Sequence, residues 1–97
     1  MNTIIINKKI VTIKPIDFSA ICALEDLGFD VTKVGSKAFS SVRSAVAFHM
    51  GVTLEEASAE IEAHVKNGGK INDFVPLLEA ITESDFFQNL AQNTEEE

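Results

Sequence analysis

The sequence predicts an α+β domain in which an N-terminal β-hairpin precedes a small bundle of four to five α-helices. Residues 3–14 form two β-branched runs around a polar break, as in a hairpin. After Pro15, apolar residues recur at helical spacing between helix-start and helix-stop residues. The chain has 97 residues, of which 45% are hydrophobic, enough for one core. We therefore expect a single domain over residues 1–92 and a disordered acidic tail over 93–97.

The hairpin is predicted from residue type alone. The first strand should cover residues 3–6 and the second residues 9–14, with the turn at Asn7-Lys8. Asparagine tolerates the positive φ that such a turn needs, although glycine is the usual second residue. Pro15 cannot donate to a ladder and is expected to end the second strand.

The first helix is expected to begin after the cap Asp17 and to run to Leu27, with Gly28 turning the chain out at its end. In the loop that follows, Val31 and Val34 are expected to contact the core. The residues predicted to be buried in this helix are Phe18, Ile21, Leu24 and Leu27.

The second helix is predicted from the cap Ser36 to Gly51. At about 100° per residue, one stripe of this helix is apolar, and Phe48 lies on its flank with Ser41 and Ser44. The helix therefore has more apolar surface than one neighbour needs. The stripe consists of Ala38, Phe39, Val42, Ala45, Val46 and Met50.

The third helix has the sharpest start signal, because Thr53 and Glu56 have the spacing of a capping box. We expect it to stop at Gly68-Gly69. Its predicted buried residues are Leu54, Ala57, Ile61 and Val65, and its predicted exposed residues are Glu55, Glu56, Glu60 and Lys66.

A fourth helix is expected to begin at Asn72 or Asp73, with Pro76 tolerated in its first turn. Its apolar stripe consists of Phe74, Leu77, Leu78 and Ile81. Three later apolar residues, Phe86, Phe87 and Leu90, would project away from that stripe on an unbroken helix. Ser84-Asp85 is therefore expected to cap a separate short helix.

Composition excludes several functional classes. Eight Lys and Arg against 15 Asp and Glu give a formal charge of −7, which disfavours binding to nucleic acid. Lys8, Lys9 and Lys14 are the local positive cluster, and we interpret them as a solubility feature of the hairpin edge. No apolar run approaches the roughly 18 residues of a membrane span, and no signal-peptide order is present, so a cytosolic protein is expected.

No residue set has the pattern of a catalytic, cofactor or metal site. His49 is expected to be a hydrogen-bonded core or interface histidine, and His64 to pair with Glu60 one turn earlier. Cys22 is expected to be a buried, inert thiol. The pairs Asp26 with Asp30 and Glu55 with Glu56 match neither a calcium loop nor a glycosidase pair. We therefore expect a binding protein that is not an enzyme.

The layout of the chain resembles the tail assembly chaperones of long-tailed bacteriophages. The resemblance covers residues 3–90, and Lys8 stands where the family usually has glycine. Its motifs are the hairpin Thr-Ile-Ile-Ile-Asn-Lys-Lys, the helix Phe18-Ser-Ala-Ile-Cys-Ala-Leu-Glu25, the helix start Gly-Val-Thr53-Leu-Glu-Glu56-Ala and the segment Asp73-Phe-Val-Pro-Leu-Leu-Glu79-Ala.

The resemblance implies a non-enzymatic protein of the bacterial host cytoplasm, absent from the finished virion, that keeps the tape measure protein soluble and helps recruit tail tube subunits. The family often also makes a longer frameshifted product. We expect a homo-oligomer, and we expect Phe86, Phe87, Leu90 and Phe48 to bind partners unless they fold back onto the core. The alternative function is a small acidic phage or plasmid regulatory protein or inhibitor that acts by protein binding.

Overall fold

The computed structural model describes residues 3–29 and 38–89. Within them, an antiparallel hairpin is followed by helices, which confirms the predicted α+β fold. The elements are β1 (Thr3–Ile6), β2 (Lys9–Thr12), α1 (Phe18–Asp26), α2 (Ala38–Met50), α3 (Leu54–Lys66), a 3-10 turn (Ile71–Phe74), α4 (Val75–Thr82) and a last helix, α5, over residues 85–89. The predictions for Val31, Val34, Ser36, the burial of Ala38, Leu90 and the acidic tail lie outside the described residues.

The hairpin turns at Asn7 and Lys8, as predicted. Both residues have positive φ, 52° and 65°, which is the geometry of a type I′ turn. Pairing runs from Ile6 with Lys9 to Thr3 with Thr12, so β2 ends at Thr12 and not at the predicted residue 14. Beyond the ladder, the N–H of Lys14 donates to a histidine ring of α2 instead of to a strand.

The predicted start of α1 is confirmed, and the helix ends at Asp26, one residue before the predicted Leu27. The Asp17 carboxylate accepts a hydrogen bond from the backbone N–H of Ala20 at 2.8 Å. Gly28 has a φ of 87°, and the next residue, Phe29, donates its N–H back to the Leu24 carbonyl at 2.9 Å. This bond closes the helix end and brings the ring of Phe29 into the core.

Two burial predictions for α1 are wrong. Phe18 is 65% exposed, and Cys22 is an exposed thiol. The buried face is centred between Ala20, Ile21 and Leu24. At 100° per residue, Phe18 lies about 115° and Cys22 about 155° from that centre, so the helix directs both away from the core.

Helix α2 is the central element, because it contacts α1, α3, α4 and β2. It is consequently buried on nearly all sides, and the Ser44 hydroxyl donates to the Leu27 carbonyl at 3.0 Å. Phe39, which belongs to the predicted apolar stripe, is 77% exposed because it lies in the first turn, at the end of the helix. The buried residues of α2 are Ser41, Val42, Ser44, Ala45, Val46, Ala47 and His49.

The capping box of α3 is confirmed. The Thr53 hydroxyl accepts from the Glu56 N–H at 3.1 Å, and the Glu56 carboxylate accepts from the Thr53 N–H at 3.1 Å. Ala57 is fully buried, whereas Val65, predicted to be buried, is 45% exposed in the last turn of the helix. The chain leaves the helix through Gly68, whose φ is 93°.

The fourth helix begins later than predicted. A 3-10 turn occupies the expected start, and its Asp73 carboxylate accepts from the Lys70 N–H at 3.0 Å. Helix α4 follows with Pro76 in its first turn, where no internal N–H is lost. Of the predicted stripe, Phe74, Leu77 and Ile81 are fully buried and Leu78 is half-buried. They meet residues of the hairpin, α1 and α2 in one core, which includes Ile6, Val11, Leu24 and Val46.

Candidate partner-binding surface

The short helix α5 is a separate element, as predicted, because Ser84 caps it. The Ser84 hydroxyl accepts from the Phe87 N–H at 3.2 Å and donates to the Ile81 carbonyl at 2.8 Å. The chain therefore changes direction at Ser84. Phe86 and Phe87 are both half-buried and pack against the domain's own core while keeping part of each ring in solvent.

The most exposed aromatic neighbour of α5 comes from α1. The ring of Phe18 meets that of Phe86 edge to face, with centroids 6.3 Å apart and an interplanar angle of 72°. Phe18 is largely exposed and Phe86 is half-buried. We call this pair the Phe18–Phe86 surface. It is an apolar, solvent-facing position to which two distant parts of the chain contribute.

The predicted binding residues do not all come together. Phe48 is half-buried on α2, where its ring meets that of His49 at 5.0 Å and the Nζ atom of Lys14 lies 5.3 Å from its centroid. Among the described rings, no aromatic contact joins Phe48 to Phe86 or Phe87. Phe48 and α5 therefore do not form one aromatic cluster, and their roles in binding stay separate predictions.

His49 is the hydrogen-bonded core histidine that the sequence predicts. It is 3% exposed; its Nδ1 accepts from the Lys14 N–H at 3.1 Å, and its Nε2 lies 3.0 Å from the Leu77 carbonyl. These partners require the neutral tautomer with hydrogen on Nε2. Burial, opposed by the bond to Leu77, lowers the pKa of His49 to about 4. The side chain joins the hairpin exit, α2 and α4.

Glu60 has a different environment from the exposed one predicted for it. Its carbonyl and carboxylate accept from the Asn7 amide at 2.9 and 2.7 Å, and its carboxylate pairs with Lys9 Nζ at 2.5 Å. The hydrogen bond from Lys9, and to a lesser extent the one from Asn7, lowers the pKa of Glu60 below its usual range. Glu60 therefore ties the hairpin turn to α3.

The predicted pair of Glu60 with His64 is also wrong. His64 Nε2 instead lies 2.8 Å from the Asp73 carboxylate, and its ring meets that of Phe74 at 4.9 Å. The hydrogen bond from the Lys70 N–H, and to a lesser extent the one with His64, lowers the pKa of Asp73.

Between the hairpin turn and α3 lies an open groove of about 980 Å³. Its lining includes Ile5, Lys8, Ala59, Ala63, His64 and Gly69.

The outer face of the hairpin is a further apolar surface that was not predicted. Ile5 and Ile10 are paired across the strands, and their side chains are 70% and 75% exposed. The strand alternation that predicts this surface was present in the sequence. With a two-residue turn at Asn7-Lys8, strand alternation puts Ile5 and Ile10 on the face opposite Ile6.

Possible metal ligands do not group together in the described part of the chain. Over residues 3–29 and 38–89, no three His, Cys, Asp or Glu side chains group as metal ligands would. Within the same ranges, no helix is long and apolar enough to cross a membrane.

Comparison of the chain with protein-family models, with curated proteins and with solved structures gives no match. A functional proposal therefore rests on the surfaces of the described residues and on the resemblance in layout. Exposed apolar side chains lie next to a second apolar residue at the Phe18–Phe86 surface and at the Ile5–Ile10 face, and Phe39 lines a groove with Ile61 and Ile71.

Proposed function

We propose that this protein is a phage tail assembly chaperone, which binds the tape measure protein, keeps it soluble and helps recruit tail tube subunits. The observation that carries the proposal is the Phe18–Phe86 surface on a small acidic helical domain. A long helical client exposes apolar stripes until its assembly partners cover them. An exposed aromatic pair can occupy such a stripe, because a few aromatic anchors dominate many interfaces.

The position of α5 supports this assignment. Capped at Ser84, it holds Phe86 against the domain's core on one side and against Phe18 on the other. A ring fixed in this way loses little side-chain entropy on binding. The client would therefore meet a preorganised surface, in the manner of a helix laid against an apolar groove.

The charge of the chain supports the same task. A formal charge of −7 on 97 residues keeps a complex with an apolar client soluble and disfavours binding to nucleic acid. Several copies along one filament would add their weak contacts through avidity. Self-association belongs to this proposal, with Phe48 or the Phe86–Phe87 pair at the contact between copies.

The test is co-expression with the tape measure protein encoded near the same gene. The wild-type chain should raise the soluble fraction of that client. Phe18→Ala removes a largely exposed ring, so the variant should fold by circular dichroism and lose much of this effect. Phe39→Ala is the matched control, because Phe39 is also largely exposed but lies on α2, and it should act as the wild type does.

A double variant, Phe86→Ala with Phe87→Ala, tests α5 directly. Because both rings are half-buried, its fold must be measured first. If it folds and still solubilises the client, and Phe18→Ala does too, the client surface is elsewhere. If the wild-type chain leaves the client insoluble, the chaperone assignment itself is wrong.

A further inference from the structure

The hairpin has two open edges. Ile6 and Lys9 close a two-residue turn, so they form a hydrogen-bonded pair, and the ladder alternates from there. The backbone groups of Thr3 and Ile5 on β1, and of Ile10 and Thr12 on β2, therefore point away from the partner strand. Within the described residues, none of these four makes a backbone hydrogen bond outside the hairpin. A two-stranded sheet with such edges can accept a third strand.

The outer face of the same hairpin has residue types that are typical of a sheet face covered by a neighbour. Its two cross-strand pairs are Ile5 with Ile10 and Thr3 with Thr12, all β-branched and all exposed. β-branched residues pack well on a pleated surface, and an exposed apolar pair in a sheet gains stability when a neighbour covers it. The face thus offers apolar contact beside the open edges.

The positive charge of the hairpin determines which kind of strand would bind to it. The first 16 residues contain three lysines and no acidic residue, so the remainder of the chain, with five basic and 15 acidic residues, has a formal charge of −10. Lys8 and Lys14 are exposed and without a carboxylate partner among the described residues. Pairing of two such hairpins would bring like charges together, whereas an acidic strand would meet opposite charge. The β2 edge suits such a strand better than the β1 edge, because Glu79 and Glu83 of α4 line the groove beside Thr3 of β1.

The hairpin is also held in place before any partner arrives. Its turn is tied to α3 through Asn7, Lys9 and Glu60, and its exit is tied to α2 through Lys14 and His49. A fixed edge spares a partner the entropy of ordering it. We propose that the hairpin takes up an acidic, extended segment of another protein as a third strand. This proposal does not depend on the chaperone assignment.

The experiment uses the full chain and two synthetic peptides. One peptide has eight residues that alternate valine with glutamate, and the other has lysine in place of glutamate. Backbone amide shifts and hydrogen exchange are followed by NMR during each titration. The acidic peptide should protect the amides of Ile10 and Thr12 on the β2 edge as a pair, because Glu79 and Glu83 lie beside Thr3 of the other edge. Its affinity should exceed that of the basic peptide by about tenfold and fall at high salt.

Three variants separate charge from packing. Lys8→Glu with Lys14→Glu should reverse the preference between the peptides, and Ile5→Thr with Ile10→Thr should weaken both while keeping β-branched side chains. Val65→Lys is the control, because Val65 is exposed and apolar but lies on α3. It should leave binding of the acidic peptide intact.

Several outcomes would overturn the proposal. These are equal binding of the two peptides, no protection of either edge at millimolar peptide, or protection scattered away from the hairpin. A wild-type dimer that protects the edges without peptide, and that is lost in Ile5→Thr with Ile10→Thr, would show that a second copy covers this face instead.

Discussion

The stability of the fold should depend on pH through His49. Its ring is neutral in the folded state, because Nδ1 accepts from the Lys14 N–H and burial lowers its pKa to about 4. In the unfolded chain the same group has its ordinary pKa of 6.5. The unfolded state therefore binds more protons as the pH falls below that value, and the fold loses stability. The contribution is complete above the unfolded pKa and is lost as the pH falls toward the folded pKa.

The magnitude follows from the two pKa values. A lowering from 6.5 to about 4 corresponds to about 3 kcal/mol in all. Between pH 7 and pH 5 the expected loss is about 2 kcal/mol. This window lies above the range in which the lowered pKa values of Glu60 and Asp73 would matter. Urea denaturation at several pH values within it measures the loss directly.

The substitution His49→Gln isolates the effect. Glutamine cannot gain a proton here, so the free energy of unfolding should be nearly flat over the same window, although its value at pH 7 should fall by about 1–3 kcal/mol because the Lys14 N–H loses its acceptor. Phe39→Ala keeps His49 and removes no titratable group, so it should retain the wild-type pH dependence. A wild-type curve as flat as that of His49→Gln would refute the reasoning.

Three further predictions concern stability and are checked by thermal or urea denaturation. Thr53→Ala should destabilise the fold by roughly 1 kcal/mol, because the first amides of α3 lose their acceptor. Lys8→Gly should stabilise it by about 1 kcal/mol, because a non-glycine residue at a φ of 65° is strained. In Gly69→Ala the new Cβ would lie 2.3 Å from His64 Nε2, so the ring must move and the melting temperature should fall. Adding His64→Ala should remove most of that fall.

Features decided by neighbouring residues could be predicted from the sequence. The caps at Asp17, Thr53 and Ser84 each depend on atoms within three residues, and all three were predicted and are present. The turn at Asn7-Lys8 depends on positive φ and was likewise predicted. Such features are determined by local chemistry and need no tertiary contact.

Features decided by distant elements could not be predicted. Glu60 was expected to face water, yet its partners Asn7 and Lys9 lie more than 50 positions earlier in the chain. Phe18 and Phe39 belong to apolar patterns, but whether a ring is covered depends on where the neighbouring helices pass. Periodicity identifies an apolar face without saying which of its ends remains exposed.

The contact of Glu60 with the hairpin has a further implication for the third-strand proposal. A carboxylate from the acidic helical part of the chain already pairs with a lysine of the hairpin, at 2.5 Å from Lys9. Lys9 is exposed in this pair whereas the Glu60 side chain is 19% exposed, so solvent screens part of the attraction, and the pair helps to fix the hairpin turn against α3. Lys8 and Lys14 have no carboxylate partner among the described residues, and the Lys14 ammonium lies over the Phe48 ring at 5.3 Å from its centroid. An acidic partner strand would thus form between two proteins the kind of lysine–carboxylate pair that Lys9 and Glu60 form within this chain. Charge reversal at Lys8 and Lys14 should abolish binding of the strand without disturbing the Lys9–Glu60 pair.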